Sequence, residues 1–186
     1  MKNLRNCMVA LISIVLLSAC GGAPQQQSTG GTIKAVIKTA GLTSNQNIAG
    51  VQLSVSVPLG VTPIFKADGA TVDAAATVEI SSTSPANQGL SGATFTPATA
   101  TGSGQLVISA IEAAGFQAND LITIHLKIVP GAKPLESDFK LLSFEAYNTV
   151  DTSGTGSSKV FGWDVTNGAN PANTINLTPT LTATIQ

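Results

Sequence analysis

A strict alternation of apolar and polar residues is the feature that most restricts how this chain can fold. Every second residue between positions 51 and 57 is apolar, in the order Val51-Gln52-Leu53-Ser54-Val55-Ser56-Val57. Successive side chains of an extended chain point to opposite faces, so a period of two places all the apolar residues on one face. The segment is therefore predicted to be a β-strand with one buried face.

The same period recurs along the chain. Alternation predicts strands near 33–38, 122–128, 142–147 and 175–185, and apolar β-formers predict further strands near 76–80, 105–111 and 160–165. Pro179 cannot donate to a ladder, so it marks an edge, a bulge or a break in the last segment. No window of a dozen residues has a helical period; the nearest, 110–116, predicts at most one helical turn. We therefore expect an all-β protein, a two-sheet β-sandwich of about eight or nine strands.

The first twenty residues have the order of an export signal. Lys2 and Arg5 form a basic start, an apolar run occupies positions 8–17, and Leu17-Ser18-Ala19-Cys20 follows. The run has about ten residues, whereas a membrane-spanning helix needs roughly 20. The last four residues match the lipobox of bacterial lipoproteins, in which the cysteine thiol accepts a diacylglyceryl group. We expect residues 1–19 to be removed and Cys20 to carry covalent lipid.

The residues after the signal divide into a tether and one domain. Residues 20–31 are polar and Gly-rich, without an apolar side chain larger than Ala or Pro, and predict a flexible tether. Residues 32–186 are enough for one domain with a sizeable core. The expected location is the bacterial cell envelope. Gly21, in place of an aspartate after Cys20, favours the outer membrane or the cell surface.

The charge balance argues against nucleic acid as a partner. The chain has nine Lys plus Arg and ten Asp plus Glu, and loss of Lys2 and Arg5 with the signal leaves seven against ten, a net charge of −3. Binding to nucleic acid depends on basic residues that neutralise phosphates, and the sequence contains no basic stripe. Only 10% of residues are charged, which is typical of exported β-rich envelope proteins.

Three segments of the chain combine strands with characteristic turns. Residues 48–58 resemble the early cohesin strand that runs into a turn bearing proline. Residues 104–132 follow the cohesin order of glycine, strand, loop, strand and Pro/Ala turn. Residues 139–154 are similar to the next strand and its Asp-x-x-Gly turn, here Asp151-Thr152-Ser153-Gly154. The resemblance covers about 100 residues of the chain.

The resemblance implies a nine-stranded, jelly-roll sandwich that binds a dockerin-type module through one sheet face. In that pairing the dockerin carries the calcium, so this chain needs none. The chain departs from the family in being a lone module on a lipid anchor, without a repeated cohesin or a cellulose-binding domain, which argues against a cellulosome scaffold. Carbohydrate-binding sandwich families share the same order of strands and turns, so the resemblance bears on fold more than on function.

The sequence shows no arrangement of residues suited to catalysis. His125 is the only histidine, and no nucleophile-elbow glycine pattern surrounds a serine. Once Cys20 is acylated the chain offers no free thiol for zinc, and its acidic residues are dispersed. The loop 151–158 has a single carboxylate, which favours a surface turn over a calcium site. We expect a non-catalytic protein with no cofactor other than its lipid and no metal.

Two sets of residues are candidates for binding. Thr123, His125 and Lys127 alternate with apolar residues and would lie on the outer sheet face of a cohesin-like domain, where a protein partner binds. Tyr147 and Trp163 are candidates for stacking on sugar rings, although packing of Trp163 in the sandwich core is the favoured interpretation. The leading expectation is a protein-binding module. The alternatives are a carbohydrate-binding sandwich and a structural or assembly lipoprotein that packs through edge strands.

Overall fold

Two antiparallel sheets form the protein. The computed structural model describes residues 30–41, 48–81, 89–112, 114–116, 119–148 and 158–186. The first sheet has the order β11-β1-β7-β3, with β4 also paired to β7, and consists of β1 (Thr32–Ala40), β3 (Val61–Pro63), β4 (Val78–Ile80), β7 (Asn119–Ile128) and β11 (Thr178–Ile185). The second has the order β10-β9-β8-β2-β6-β5 and consists of β2 (Ile48–Val57), β5 (Leu90–Thr96), β6 (Gly104–Ile111), β8 (Lys140–Asn148), β9 (Lys159–Asp164) and β10 (Gly168–Ala169).

The core lies between the two sheets and is formed by the alternate apolar side chains of their strands. From the first sheet Ile37 and Ile124 are fully buried, and from the second sheet Leu53 and Phe144. These residues belong to a single cluster of buried apolar side chains, in which the rings of Phe144 and Phe161 lie 6.1 Å apart. Face-to-face packing of two sheets over one apolar core is the β-sandwich predicted from the alternation. The fold class is thereby confirmed.

The described residues contain eleven strands, more than the eight or nine expected. The difference comes from β3, β5 and β10. Strands β3 and β10 have three and two residues, too few for a period of two to be visible. In β5 Ala93 and Phe95 pack against the core on either side of Thr94, but Ser91 and Gly92 precede them, so the alternation is too short to predict a strand.

One short segment differs from the strand predicted there. Residues 76–80 were expected to be one strand, but Ala74–Thr77 form a one-turn helix, α1, before β4 begins at Val78. Asp73 caps α1, because its carboxylate accepts a hydrogen bond from the Ala76 amide at 3.2 Å. At 110–116, where at most one helical turn was predicted, the described residues contain the end of β6 and a turn at Gly115, whose φ of +90° favours glycine.

The first and last strands pair with each other. Strand β11 lies antiparallel to β1, with Ile33 opposite Ile185 and Thr39 opposite Pro179. Pro179 therefore stands in an edge strand, one of the positions expected for it. The Thr32 and Gln186 backbones exchange two further hydrogen bonds, so Gly31, where the predicted tether ends, lies beside Gln186. Among the described residues no helix has the length and hydropathy to cross a membrane.

Candidate functional site

The predicted protein-binding residues lie together on the outer side of β7. Thr123, His125 and Lys127 alternate with Ile122, Ile124 and Leu126, all three of which are buried in the core. Strand β7 is central in the first sheet, with β1 on one side and β3 and β4 on the other. The three polar side chains therefore project from the middle of an exposed sheet rather than from its rim.

Neighbouring strands extend this surface. Lys34 of β1 lies directly opposite His125, and Thr32 lies opposite Lys127. On the other side of β7, Glu79 lies opposite Thr123, and its carboxylate is 3.1 Å from His125 Nε2. Both side chains of that pair are well exposed, so the interaction contributes about 0–1 kcal/mol of stability.

The edge strand β11 completes the surface. Thr180, Thr182 and Thr184 are exposed and lie opposite Lys38, Val36 and Lys34, respectively. We use the name β7 face for the outer side of this sheet, formed by Lys34, Val36, Lys38, Glu79, Thr123, His125, Lys127, Thr180, Thr182 and Thr184. Its members include three lysines and one glutamate, with Asp120 of β7 opposite Lys38 in the register, on a protein whose overall charge is negative. The β7 face is therefore a broad, threonine-rich surface of positive charge.

A second polar surface lies on the other sheet, around Glu145. The Tyr147 hydroxyl donates a hydrogen bond to Glu145 Oε2 at 2.6 Å, and the Lys159 ammonium donates to Oε1 at 2.9 Å. The hydrogen bond from Tyr147, followed by that from Lys159, lowers the pKa of Glu145 against the opposing effect of partial burial. The same bond raises the pKa of Tyr147 to about 12. Both carboxylate oxygens of Glu145 are thus occupied by neighbours.

A shallow cavity of about 360 Å³ adjoins this cluster. Its lining includes Ser143, Glu145, Lys159, Asp164, Asn167 and Asn170. The Asp164 carboxylate accepts hydrogen bonds from the Asn167 side chain and from the Thr166 and Asn167 amides, and these bonds lower its pKa. Both carboxylates of the cavity are therefore bonded to the protein itself: Asp164 stabilises the turn to Asn167, and Glu145 links β8 to β9.

The two rings expected to form a sugar platform lie in different environments. Trp163 stands opposite the buried Phe144 and packs against the core cluster, with part of its surface exposed. Tyr147 stands opposite Lys159 and is bonded to Glu145 on the outer side of the sheet. The structure therefore does not bring Tyr147 and Trp163 together into one flat platform.

The chemistry available to the described residues is that of hydrogen bonding and charge. Among them no group of three or more His, Cys, Asp or Glu side chains is placed to hold a metal ion. The sole histidine, His125, is exposed and faces Glu79 on a sheet surface. The described surfaces therefore present hydrogen-bonding groups and charge.

Some residues of these surfaces were missed in the sequence analysis. The alternation of Lys34 and Lys38 was recognised, but their position beside β7 depends on a pairing between strands far apart in the sequence. Glu145 and Tyr147 are two residues apart in one strand, so the period of two already indicated a shared face. The position of Lys159 next to them follows only from the pairing of β8 with β9.

Cys20 and residues 151–157, which are predicted to carry lipid and to form a surface turn respectively, lie outside the described residues, so these roles stay predictions. Comparison with models of protein families, with curated proteins and with solved structures finds no match.

Proposed function

We propose that this chain is a non-catalytic lipoprotein of the bacterial cell envelope, anchored through lipid on Cys20, and that its sandwich is a cohesin-like module that binds an acidic protein partner through the β7 face. The observation that carries the proposal is the arrangement of that face. Lys34, Lys127 and His125 are adjacent at the centre of an exposed sheet, while the chain as a whole is negatively charged.

The shape of the β7 face favours a macromolecule over a small ligand. Small-molecule sites are concave and bury most of the ligand, whereas protein interfaces need roughly 800 Å² on each partner. The β7 face extends over four of the five strands of the first sheet, β11, β1, β7 and β4. The cavities of about 360 and 390 Å³ are lined by other residues. A broad sheet face of this kind supports recognition of a folded partner.

The charge of the face favours an acidic partner. Complementary potentials speed association and disfavour partners of the wrong sign. Within the described part of the chain, Lys34 and Lys127 have no hydrogen bond or ion pair, so binding would not have to break one. The threonines of β11 add hydroxyl donors and acceptors along one edge, which could fix the register of the partner.

The partner can be sought with the mature lipoprotein as bait in detergent-solubilised envelope and secreted fractions, with and without calcium. We expect capture of an acidic protein, and a calcium requirement if that protein carries paired calcium loops of the dockerin type. Lys127→Glu should weaken binding at least about tenfold, equivalent to about 1.4 kcal/mol. Lys140→Glu, at the start of β8 in the other sheet, makes the same charge change and is the matched control. Equal binding by the two variants would contradict use of the β7 face.

A carbohydrate ligand is the second candidate, supported by the polar cavity beside Glu145 and by the exposed part of Trp163. It predicts that the lipoprotein captures no protein but is retained on an insoluble polysaccharide. Retention should then be lost with Asn170→Ala in the cavity lining and kept with Lys127→Glu. That pattern would replace the protein-binding proposal.

The lipid anchor is tested separately by cell fractionation. Cys20→Ala removes the thiol that would accept the diacylglyceryl group, so we expect the protein to leave the membrane fraction or to accumulate as a precursor. Cys7→Ala changes the other cysteine, inside the apolar run of the signal, and should leave the protein in the membrane with lipid on Cys20. Mass spectrometry of the amino-terminal peptide reports the lipid. Membrane retention of Cys20→Ala without lipid would contradict the anchor.

A further inference from the structure

Exposed apolar side chains are concentrated at one end of the sandwich. Among the described residues, six large apolar side chains are exposed, and four of them lie at the same end: Leu59, Val129, Leu135 and Ile185. Leu59 and Leu135 are 62% and 63% exposed. Removing side chains of this size from water lowers the free energy. An exposed group of them therefore indicates a surface that becomes covered.

Backbone contacts bring the four residues to one place. The Val129 amide donates to the Gly60 carbonyl at 2.8 Å, which places Val129 beside the turn that contains Leu59. The Ile185 amide donates to Glu136 Oε1 at 3.1 Å, next to Leu135. The turn that contains Leu59 and the loop that contains Leu135 meet at a cavity of about 390 Å³, whose lining includes both Leu59 and Ser137. We call this surface, formed by residues 58–60, 129–137 and 185–186, the tether end.

The chain enters the domain at this same end. A Cβ atom on Gly30 would lie 2.6 Å from the Ile128 carbonyl oxygen, so the backbone of Gly30 passes directly against the end of β7. Cys20 precedes Gly30 by ten residues, which span at most about 36 Å when fully extended. A lipid on Cys20 would therefore hold the tether end close to the bilayer surface.

The charges at the tether end and directly beside it are balanced, because Lys133 and Lys140 match Glu136 and Asp138 in number. Asp138 Oδ2 accepts a hydrogen bond from the Leu135 amide at 2.8 Å, and Glu136 is bonded to Ile185, so both carboxylates serve the fold. Lys133 is exposed in the same loop and supplies a positive charge. The adjacent turn 97–103 contains no charged residue.

We propose that the tether end docks on the lipid bilayer, with Leu59 and Leu135 in the interfacial region of the membrane. This inference rests on the proposed lipid anchor at Cys20. The anchor supplies a high local concentration of membrane, so a small apolar patch is enough to orient the domain. The strands then run roughly perpendicular to the membrane plane. The β7 face is parallel to the membrane normal and is accessible to a partner in the surrounding medium.

The experiment uses the mature lipoprotein in vesicles of phosphatidylethanolamine and phosphatidylglycerol. Single cysteines at Leu59→Cys and Leu135→Cys carry a nitroxide label, since Cys20 would have no free thiol. Ile111→Cys is the matched control, because Ile111 is 59% exposed but lies at the opposite end of the sandwich, where β6 ends opposite Gly50. We expect collisions with a water-soluble nickel complex to be several-fold less frequent at 59 and 135 than at 111, and collisions with oxygen to be more frequent.

Each other outcome overturns the inference in a distinguishable way. A lipid-bearing protein whose labels at 59 and 135 match the label at 111 overturns docking and leaves the anchor intact. The labels at 59 and 135 could instead be shielded from the nickel complex in detergent, with spectra broadened by the same label on another molecule. Together with a dimeric mass, that result identifies a second copy of the chain as the covering surface. Absence of lipid on Cys20 by mass spectrometry overturns the anchor and the docking that rests on it.

Discussion

At the scale of single residues, Glu145 is held by two neighbours on the same outer surface. Its carboxylate accepts a hydrogen bond from Tyr147 within β8 and another from Lys159 across the β8–β9 pair. The bonds stabilise the ionised carboxylate and so lower its pKa, while they raise the pKa of the Tyr147 hydroxyl to about 12. All three side chains are partly exposed, so solvent screening limits the net effect on stability to about 1 kcal/mol or less.

We predict that Tyr147→Phe raises the pKa of Glu145 toward its ordinary value of 4.5, because the principal hydrogen bond to the carboxylate is lost. A carboxyl group whose pKa is lowered by folding adds stability above its unfolded pKa, and this stability is lost as the pH falls through the folded value. The variant should therefore lose about 0.5–1 kcal/mol at pH 7, and progressively less as the pH falls below 4.5. Carbon-detected NMR titration measures the pKa, and urea denaturation measures the stability.

The tyrosine makes a complementary prediction at high pH. Its hydroxyl has a pKa raised from 10.0 to about 12, so its stabilising effect is complete below pH 10 and is lost as the pH rises toward 12. The stability difference between wild type and Tyr147→Phe should shrink in that range. An unchanged Glu145 titration in the variant would show that the hydrogen bond is not the cause of the shift.

At the scale of the element, β7 has one face for the core and one for the solvent. Ile124 is fully buried and Leu126 nearly so, whereas the intervening His125 is exposed on the β7 face. The strand is held in register on both sides, by eight residue pairs with β1 and by shorter pairings with β3 and β4. Because it is central, a change on its buried side disturbs packing against every neighbour, and a change on its outer side does not.

We predict that Ile124→Ala destabilises the protein by about 2–5 kcal/mol, through lost burial and the cavity left behind. His125→Ala, one position along the same strand, should change stability by no more than about 0.5 kcal/mol, since its partner Glu79 is exposed. Urea denaturation of the two variants gives the comparison. Similar losses would mean that β7 does not present alternate residues to core and solvent.

At the scale of the whole molecule, the fold is closed by residues from its two ends. Strand β11 covers the outer edge of β1 along its length and adds Ala183 to the core. Without β11, β1 would become an edge strand with unpaired amides and carbonyls. Exposed edges of this kind pair with other chains. The contact between β1 and β11 joins segments at opposite ends of the domain, and contacts of that range form slowly during folding.

We predict that deletion of residues 178–186 yields a protein that aggregates or unfolds without a cooperative transition. Deletion of Gln186 alone leaves β11 intact and should retain the thermal transition, with a small loss from its two hydrogen bonds to Thr32. Size-exclusion chromatography and thermal unfolding monitored by circular dichroism compare the two. A monomeric, cooperatively folded protein lacking 178–186 would show that closure by β11 is dispensable.

The sequence by itself determined the fold class, most of the strands and the outward row Thr123, His125 and Lys127, because burial of alternate side chains follows from the local geometry of an extended chain. It missed β3, β5 and β10, whose patterns are too short or too weak. Only the tertiary structure decided which strands are neighbours, and with them the positions of Lys34 beside His125 and Lys159 beside Glu145. It also separated Tyr147 from Trp163 and gathered Leu59 and Leu135 at one end. Such contacts depend on the pairing of distant segments, for which a period of two carries no information.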